Sequence, residues 1–416
     1  MVSVCCYFQV HQPYRLRHYS VFDIGRSRDY FDHHKNEEVM RKVARKCYLP
    51  TNAVILELLR KHPEFKCSFS ISGVALEQLR DHVPEALRSF QELVATGRVE
   101  ILAETYYHSL SFLYDRDEFR EQVAKHTKLV QDLFGVTPTS FRNTELIYNN
   151  ELAHHVEQMG FKAVLAEGWD PILGWRSPNF VYKSKTTDAL KLLLKNYRLS
   201  DDVAFRFSNR GWSEWPLTAD RYAQWISNVN GCGNIVNLFM DYETFGEHQW
   251  EDTGIFDFLR HFPGEVLKHP DNDFVTVTEA ANRYEPTDEV DVHNYVSWAD
   301  VERDLSAWLG NGMQQGAIQE LYRIGKAVKD LGDADLIESW RRLTTSDHFY
   351  YMCTKWFSDG DVHKYFSPYE SPYEAYIAFM NALNDLALRA KVRGTRGALG
   401  FLTAKPSMNV AGNVLA

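Results

Sequence analysis

Three things the sequence lacks each remove a class of protein. No apolar run approaches the roughly 20 residues of a membrane-spanning helix. The opening stretch MVSVCCYFQVHQPY has no positive segment ahead of its short apolar run. It therefore does not read as a secretory leader, and the chain is expected in the cytosol without a membrane partner. No block of Lys and Arg occurs, and a net charge of -10 with a pI near 5.9 argues against nucleic acid as a partner, because phosphate backbones are bound by clustered cations. The six cysteines (Cys5, Cys6, Cys47, Cys67, Cys232, Cys353) form no C-x-x-C pair, and adjacent Cys5 and Cys6 point to opposite faces of a strand, so they read as reduced thiols.

Metal and nucleotide signatures are missing too. Among sixteen histidines none lie three or four residues apart, the spacing that sets two imidazoles on one helix face. The adjacent pairs His33/His34 and His154/His155 do not replace it, and the Asp201–Asp202 pair follows a polar stretch without ending a strand. There is no G-x-S-x-G elbow, and the glycines of NGCGN (Asn230 to Asn234) precede a strand, so no phosphate-cradling loop is read. Neither a metal nor a cofactor is predicted.

What the sequence does contain is aromatic side chains, 14% of residues with ten Trp and 22 Tyr, and a regular alternation of strand-length apolar runs with helix-period segments. The strands are predicted at Val2 to Gln12, Lys66 to Gly73, Arg98 to Thr105, Thr139 to Leu146, Phe161 to Gly168, Val203 to Phe207, Ile235 onward, and Asp273 to Ala280. Consecutive βα units favour a parallel sheet, and their number suits a barrel, with an open doubly wound sheet as the other arrangement. Ionisable residues at or just past strand ends (His11, Glu100 and Glu104, Glu145, Glu167, Asp241 and Glu243, Glu279) favour the barrel, where such ends converge on one face. After about Arg283 strand-like runs vanish and helices are predicted at Asp300 to Leu309, Gly316 to Leu331, Ala334 to Thr344 and Ser371 to Val392. Residues 1–285 are therefore expected to form the barrel and 286–416 a helical domain, with a Gly-rich, partly loose tail from Gly394.

Paired carboxylates are the chemistry left over. Two acids on a barrel rim can cleave a glycosidic bond when one donates a proton to the leaving oxygen and the other, ionised, attacks or supports the anomeric carbon. Each acid taken alone fits equally well as a helix cap or as a partner of a nearby cation such as Arg142. Trp212 and Trp215 in GWSEW (Gly211 to Trp215), and likewise Trp169, Trp175 and Trp250, lie in loops after strands and suit either the core or a platform for sugar rings.

Five short regions in order resemble glycoside hydrolase family 57, the family of α-amylase-type and 4-α-glucanotransferase-type enzymes: HQP (His11 to Pro13), GRVEIL (Gly97 to Leu102), FRNTEL (Phe141 to Leu146), FMDYETFGEH (Phe239 to His248) and TVTEA (Thr276 to Ala280). Two later stretches, SWADVERDLSAWLGN (Ser297 to Asn311) and TTSDHFYYM (Thr344 to Met352), resemble its helical region. The resemblance implies an α/β fold, an incomplete (β/α)7 TIM-like barrel followed by a C-terminal all-helical domain, and a retaining, cofactor-free mechanism on α-1,4-glucans. It places the nucleophile at Glu145 and the general acid/base at Asp241, with His11, Glu100, Glu243 and Asp347 around the reacting sugar. Arg142 is expected to favour an ionised Glu145, and Glu243 to keep Asp241 protonated. A glucanotransferase or branching enzyme would use the same two carboxylates; a metal-dependent polysaccharide deacetylase and a non-enzymatic glucan-binding relative are the more distant readings.

Overall fold

The computed structural model describes residues 1–355 and 367–391. Its ten strands are β1 (Val2–Val10), β2 (Cys67–Ile71), β3 (Val99–Ile101), β4 (Ser140–Arg142), β5 (Ala163–Glu167), β6 (Val181–Ser184), β7 (Lys191–Lys195), β8 (Ile235–Asp241), β9 (Asn272–Phe274) and β10 (Glu289–Val290). They form two five-stranded sheets: β3-β2-β1-β8 with β9 alongside β1, and β10-β6-β7-β5-β4. Pairing is parallel except between β6 and β7. The sheets meet at two seams. At one, Ala103 N–H donates to Ser140 O (3.0 Å) and Arg142 N–H to Ala103 O (2.9 Å); at the other, Asn196 N–H donates to Asn237 O (2.9 Å). The strands thus follow one another round an incomplete barrel without one continuous ladder.

The interior is packed by Cys5, Tyr7, Leu165, Leu193 and Phe239, while Cys6 and Phe8 face the outer helices, as the period of two requires. β1 is buried along its whole length, which explains its continuous apolar run. None of the six cysteines forms a disulfide among the described residues.

Three elements differ from expectation. Val203 to Phe207 is no strand: it straddles the end of the helix Tyr197–Ala204, whose first turn Asn196 caps by accepting from Leu199 N–H (3.1 Å). The strand predicted from Asp273 stops at Phe274, because Thr276 and Glu279 form a capping box that opens the helix Val277–Arg283. The helix predicted from Asp300 is confined to Ser306–Leu309, and the left-handed Asp300 and Arg303 (φ 54° and 51°) belong to a tight loop ahead of it. Strands also continue past Arg283, since β10 joins β6.

The helices Gly312–Asp330, Ala334–Leu343 and Pro372–Arg389 match expectation closely, and a short helix, Ser346–Tyr350, was not anticipated. They share an apolar core, including Trp308, Trp340 and Phe379, with Tyr14, Tyr106, Tyr107 and Ile147 from loops of the barrel. The tail from Gly394, and Val392 of the last predicted helix, lie outside the described residues. No helix among the described residues is long and apolar enough to cross a membrane.

Candidate active site

The C-terminal strand ends bring together the side chains that carry chemistry. His11 follows β1, Ser72 follows β2, Glu104 and His108 follow β3, Glu145 follows β4, and Glu167, Lys195 and Asp241 end β5, β7 and β8. This is the face where parallel barrels gather reactive groups.

Glu145 sits in a single 3-10 turn after β4 with φ 56° and ψ 28°, and Leu146 beside it has φ 51°. A non-glycine residue in the left-handed region is strained by about 1–3 kcal/mol, and the surroundings here hold it there. Trp298 N–H donates to the Glu145 carbonyl (3.2 Å), and its indole Nε1–H to Glu145 Oε2 (2.7 Å). His108 Nε2–H donates to Oε1 (3.0 Å). A quarter of the side chain (25%) stays open to solvent. Burial pushes the carboxyl up, but the His108 hydrogen bond, the charges of His108 and Arg142 and the Trp298 donor together hold it below the usual glutamate value.

His108 is itself fully enclosed, and its Nδ1–H donates to Glu104 Oε2 (3.0 Å). Ionised carboxylates only accept, so a ring between two of them carries both protons. Burial works against the cation, yet the bonds to Glu104 and Glu145 raise it to about 9. The backbone of His108 is also left-handed (φ 52°). Its ring stacks on His11 at 4.0 Å between centroids. His11 Nε2–H donates to Asp347 Oδ2 (2.9 Å), leaving Nδ1 to accept from the Ser72 hydroxyl (2.7 Å). Burial and the His108 cation lower His11, so the stacked pair holds one charge.

Asp241 lies across the rim at the end of β8. Burial and then the Glu145 charge raise it to about 6, against the opposing pull of Arg142, Lys195 and His108. Glu145, not the expected Glu243, is thus the charge that most raises Asp241. Glu243 sits deeper: Tyr48 hydroxyl donates to its Oε1 (2.5 Å), and burial followed by the Asp241 charge raises it to about 8. Arg142 is completely buried beneath the site, 5.0 Å from the Trp298 ring centre, and its guanidinium nitrogens have no hydrogen-bond partner among the described residues. The loop carrying Trp298 is tied to the rim by Arg303, which pairs with Glu167 and with Asp201 (3.4 Å), while Lys195 pairs with Asp201 (2.9 Å).

The structure gathers His11, Glu145, Asp241, Glu243 and Asp347 in this way. It does not bring Glu100 to them: that carboxylate faces the other end of the strands, where it accepts from Thr278 N–H (3.0 Å) and Ser68 Oγ (3.3 Å). Glu279, in the capping box, is at that end too. Trp212 packs edge-on against Trp225 (6.3 Å), and Trp215 is exposed beside Arg210; neither shares a described hydrogen bond or ring contact with the carboxylates. Glu104 was visible in the sequence only as an acid at a strand end, and His108 and Trp298 went unread, since nothing local marks either as a partner of Glu145. The ring nitrogens of His11 and His108 are all engaged by protein groups, and among the described residues no three His, Cys, Asp or Glu side chains are arranged to hold a metal ion.

A parallel barrel whose rim holds one carboxylate ionised and a second protonated into the mildly acidic range is the layout of a two-carboxylate glycoside hydrolase. The chain belongs to glycosyl hydrolase family 57, whose sequence profile matches residues 5–293. It is 46% identical over 391 residues to a Methanocaldococcus jannaschii protein named "Putative alpha-amylase", covering 91% of this chain and 82% of that protein. An alpha-amylase of Pyrococcus furiosus is 25% identical over 252 residues, 60% of this chain but 37% of that longer protein. Two solved structures share the fold. The 4-alpha-glucanotransferase of Thermococcus litoralis superposes with a TM-score of 0.68 at 13% identity, covering 93% of this chain and 59% of that one. The branching enzyme of Pyrococcus horikoshii gives 0.65 at 14% identity, covering 94% and 95%.

Proposed function

We propose that the chain hydrolyses internal α-1,4 bonds of α-glucans by double displacement, with Glu145 as nucleophile and Asp241 as general acid/base. In the first step Asp241 gives its proton to the glycosidic oxygen as a Glu145 oxygen bonds to the anomeric carbon and the aglycone leaves. In the second, Asp241, now ionised, takes a proton from water; the water oxygen bonds to the anomeric carbon and Glu145 departs as carboxylate. The observation that carries this reading is the opposite bias of the two acids, Glu145 held down by His108, Trp298 and Arg142, and Asp241 held up by burial and by Glu145. His11, Glu243 and Asp347 surround the reacting sugar, and the helical region supplies Asp347 and Trp298 to a cleft between it and the barrel.

The test compares wild type with Glu145→Ala and Asp241→Ala on soluble starch and maltooligosaccharides, with products identified. Both variants are expected to fold and to lose turnover, and azide is expected to restore cleavage in Glu145→Ala with inverted product stereochemistry. Substantial activity in Glu145→Ala overturns the nucleophile. Wild-type products longer than the substrate would assign transfer to a sugar hydroxyl in place of water, the glucanotransferase or branching reaction on the same two carboxylates.

A further inference from the structure

Glu104 takes no part in the two-step chemistry, yet it is a wholly enclosed acid of the site, with 0% of its surface exposed. Its Oε1 accepts from Ser70 Oγ (2.5 Å) and from Gln9 Nε2 (3.2 Å), and the Gln9 Oε1 in turn accepts from the Tyr7 hydroxyl (2.7 Å). Its backbone N–H donates to His126 Nδ1 (3.3 Å), a ring whose Nε2–H is fixed on the Ile71 carbonyl (2.8 Å). Only Oε2 leads onward, to His108 and through it to Glu145.

A carboxylate taken out of water costs several kcal/mol unless its partners hold it, so this one is kept at a price the fold has no packing reason to meet. A neutral side chain in its place would leave His108 facing one carboxylate. The proton on Nε2 could then pass to Glu145 and turn the nucleophile into an acid. With Glu104 ionised on the far side, such a transfer would strip the cation from a second anion as well. The geometry points to Glu104 as a positioning residue for the nucleophile, one that pins both protons on His108 so that Glu145 stays a bare, oriented carboxylate through both steps. This rests on reading Glu145 as the nucleophile.

The charged and titratable groups around His108 come from every neighbouring element: Glu104 after β3, Glu145 and Arg142 from β4 and its turn, His11 after β1, Asp241 at the end of β8, and Asp347 from the helical region. Arg142 opposes the His108 cation, and the flanking carboxylates support it. Burial pushes Glu104 up, but the His108 bond and charge, with Arg142 and His126, bring it down to about 2, so it is ionised wherever the enzyme works.

The experiment substitutes Glu104→Gln in the full chain and follows His108 by nitrogen-15 NMR beside steady-state kinetics over pH. Wild-type His108 is expected to carry both ring protons through neutrality. In Glu104→Gln its titration is expected to fall by more than about one pH unit, as loss of an adjacent opposite charge implies. With it kcat is expected to drop about 10- to 100-fold, the scale on which partners of functional imidazoles act, while KM changes by less than about twofold. The acid limb of the kcat profile is expected to move toward neutral pH as His108 and Glu145 come to share a proton. A purely structural role would change the folded fraction and leave the pH profile in place. If Glu104→Gln does not fold, Glu104→Asp, which keeps the charge but withdraws it by one methylene, is read in the same way and is expected to keep the doubly protonated ring with a smaller loss of kcat. Wild-type kcat, pH profile and His108 protonation in Glu104→Gln overturn the proposal. Glu145→Gln separates the two possible failures: if it is inactive while Glu104→Gln behaves as wild type, only the role of Glu104 falls, and if it is active, the nucleophile assignment falls with it.

Discussion

Asp241 and Glu243, two residues apart, are both lifted by burial, but Asp241 stands on the rim and Glu243 deeper. For catalysis by the free enzyme Glu145 must be ionised and Asp241 protonated. Glu145 lies below its ordinary value and Asp241 at about 6, so kcat/KM is expected to rise as Glu145 ionises, hold across the mildly acidic range, and fall as pH increases through about 6. A pH–rate profile on a maltooligosaccharide checks this; a plateau extending to about pH 8 would contradict the Asp241 assignment. For Asp241→Asn a loss of about 10²- to 10⁴-fold is expected on natural glucans, and much less on an aryl glycoside whose leaving group needs no proton in the first step. Glu243 makes itself felt in stability. Its folded value of about 8 lies above the unfolded 4.5, so the folded state binds the extra proton and stability falls as pH rises between these two values. Glu243→Gln is expected to match wild type near pH 4 and to unfold later in urea at about pH 9, by up to a few kcal/mol. At this scale the two principal acids were legible because they stand in short motifs after strands. The groups that tune them were less so: Arg142 was readable from its closeness to Glu145, but Trp298 lies 153 residues further along, and His108 reaches Glu145 only through two left-handed turns that no local pattern announces.

The element scale shows where periodicity succeeds and fails. The long buried runs of β1, β5 and β8 are recovered, since a strand covered on both faces is apolar throughout. β7, Lys191–Lys195, is nearly as buried, but its three leucines stand between lysines, and it is not among the strands predicted from the sequence. The reverse error, at Val203 to Phe207, arose because Leu199 and Val203, four residues apart, form the apolar stripe of a helix against the sheet. Short strands such as β3 and β4 stop after three residues because the chain must turn to present Glu104 and Glu145. The loop after β8 offers a test of this rim. Gly246 has φ 108°, and a Cβ there would overlap the Lys46 carbonyl. Gly246→Ala is expected to cost more than about 2 kcal/mol in urea unfolding, because both the backbone and its neighbour must move, and to lower kcat by displacing the segment that follows Asp241.

Across the whole molecule, the helical region is bound to the barrel by charge as well as by the shared aromatic core. Glu118, fully buried in the helix Arg116–Phe134, accepts from Arg341 Nε (2.9 Å) and pairs with Lys329 (3.1 Å). Arg341→Leu leaves that carboxylate with Lys329 and the Gln122 amide (3.1 Å), and a loss of about 2–3 kcal/mol is expected in denaturant unfolding, somewhat below the cost of leaving a buried charge wholly unpaired. Because Asp347 stands only six residues on, kcat is expected to fall too, and unchanged kcat at full folding would show that the helical region holds Asp347 by other means. The sequence pattern changes near Arg283, although β10 still joins a sheet beyond it; the interlocking of barrel and helices was not legible, because the contacts join residues hundreds of positions apart. One consequence concerns the order in which the chain is made. Ribosomes release the barrel strands first, and domains commonly fold as they emerge. Yet the indole that grips Glu145 and the carboxylate that anchors His11 come from the last third, so a nascent barrel carries both reactive acids without the groups that aim them. On the proposed roles, a chain released only through its barrel strands would lack the two groups that aim Glu145 and His11.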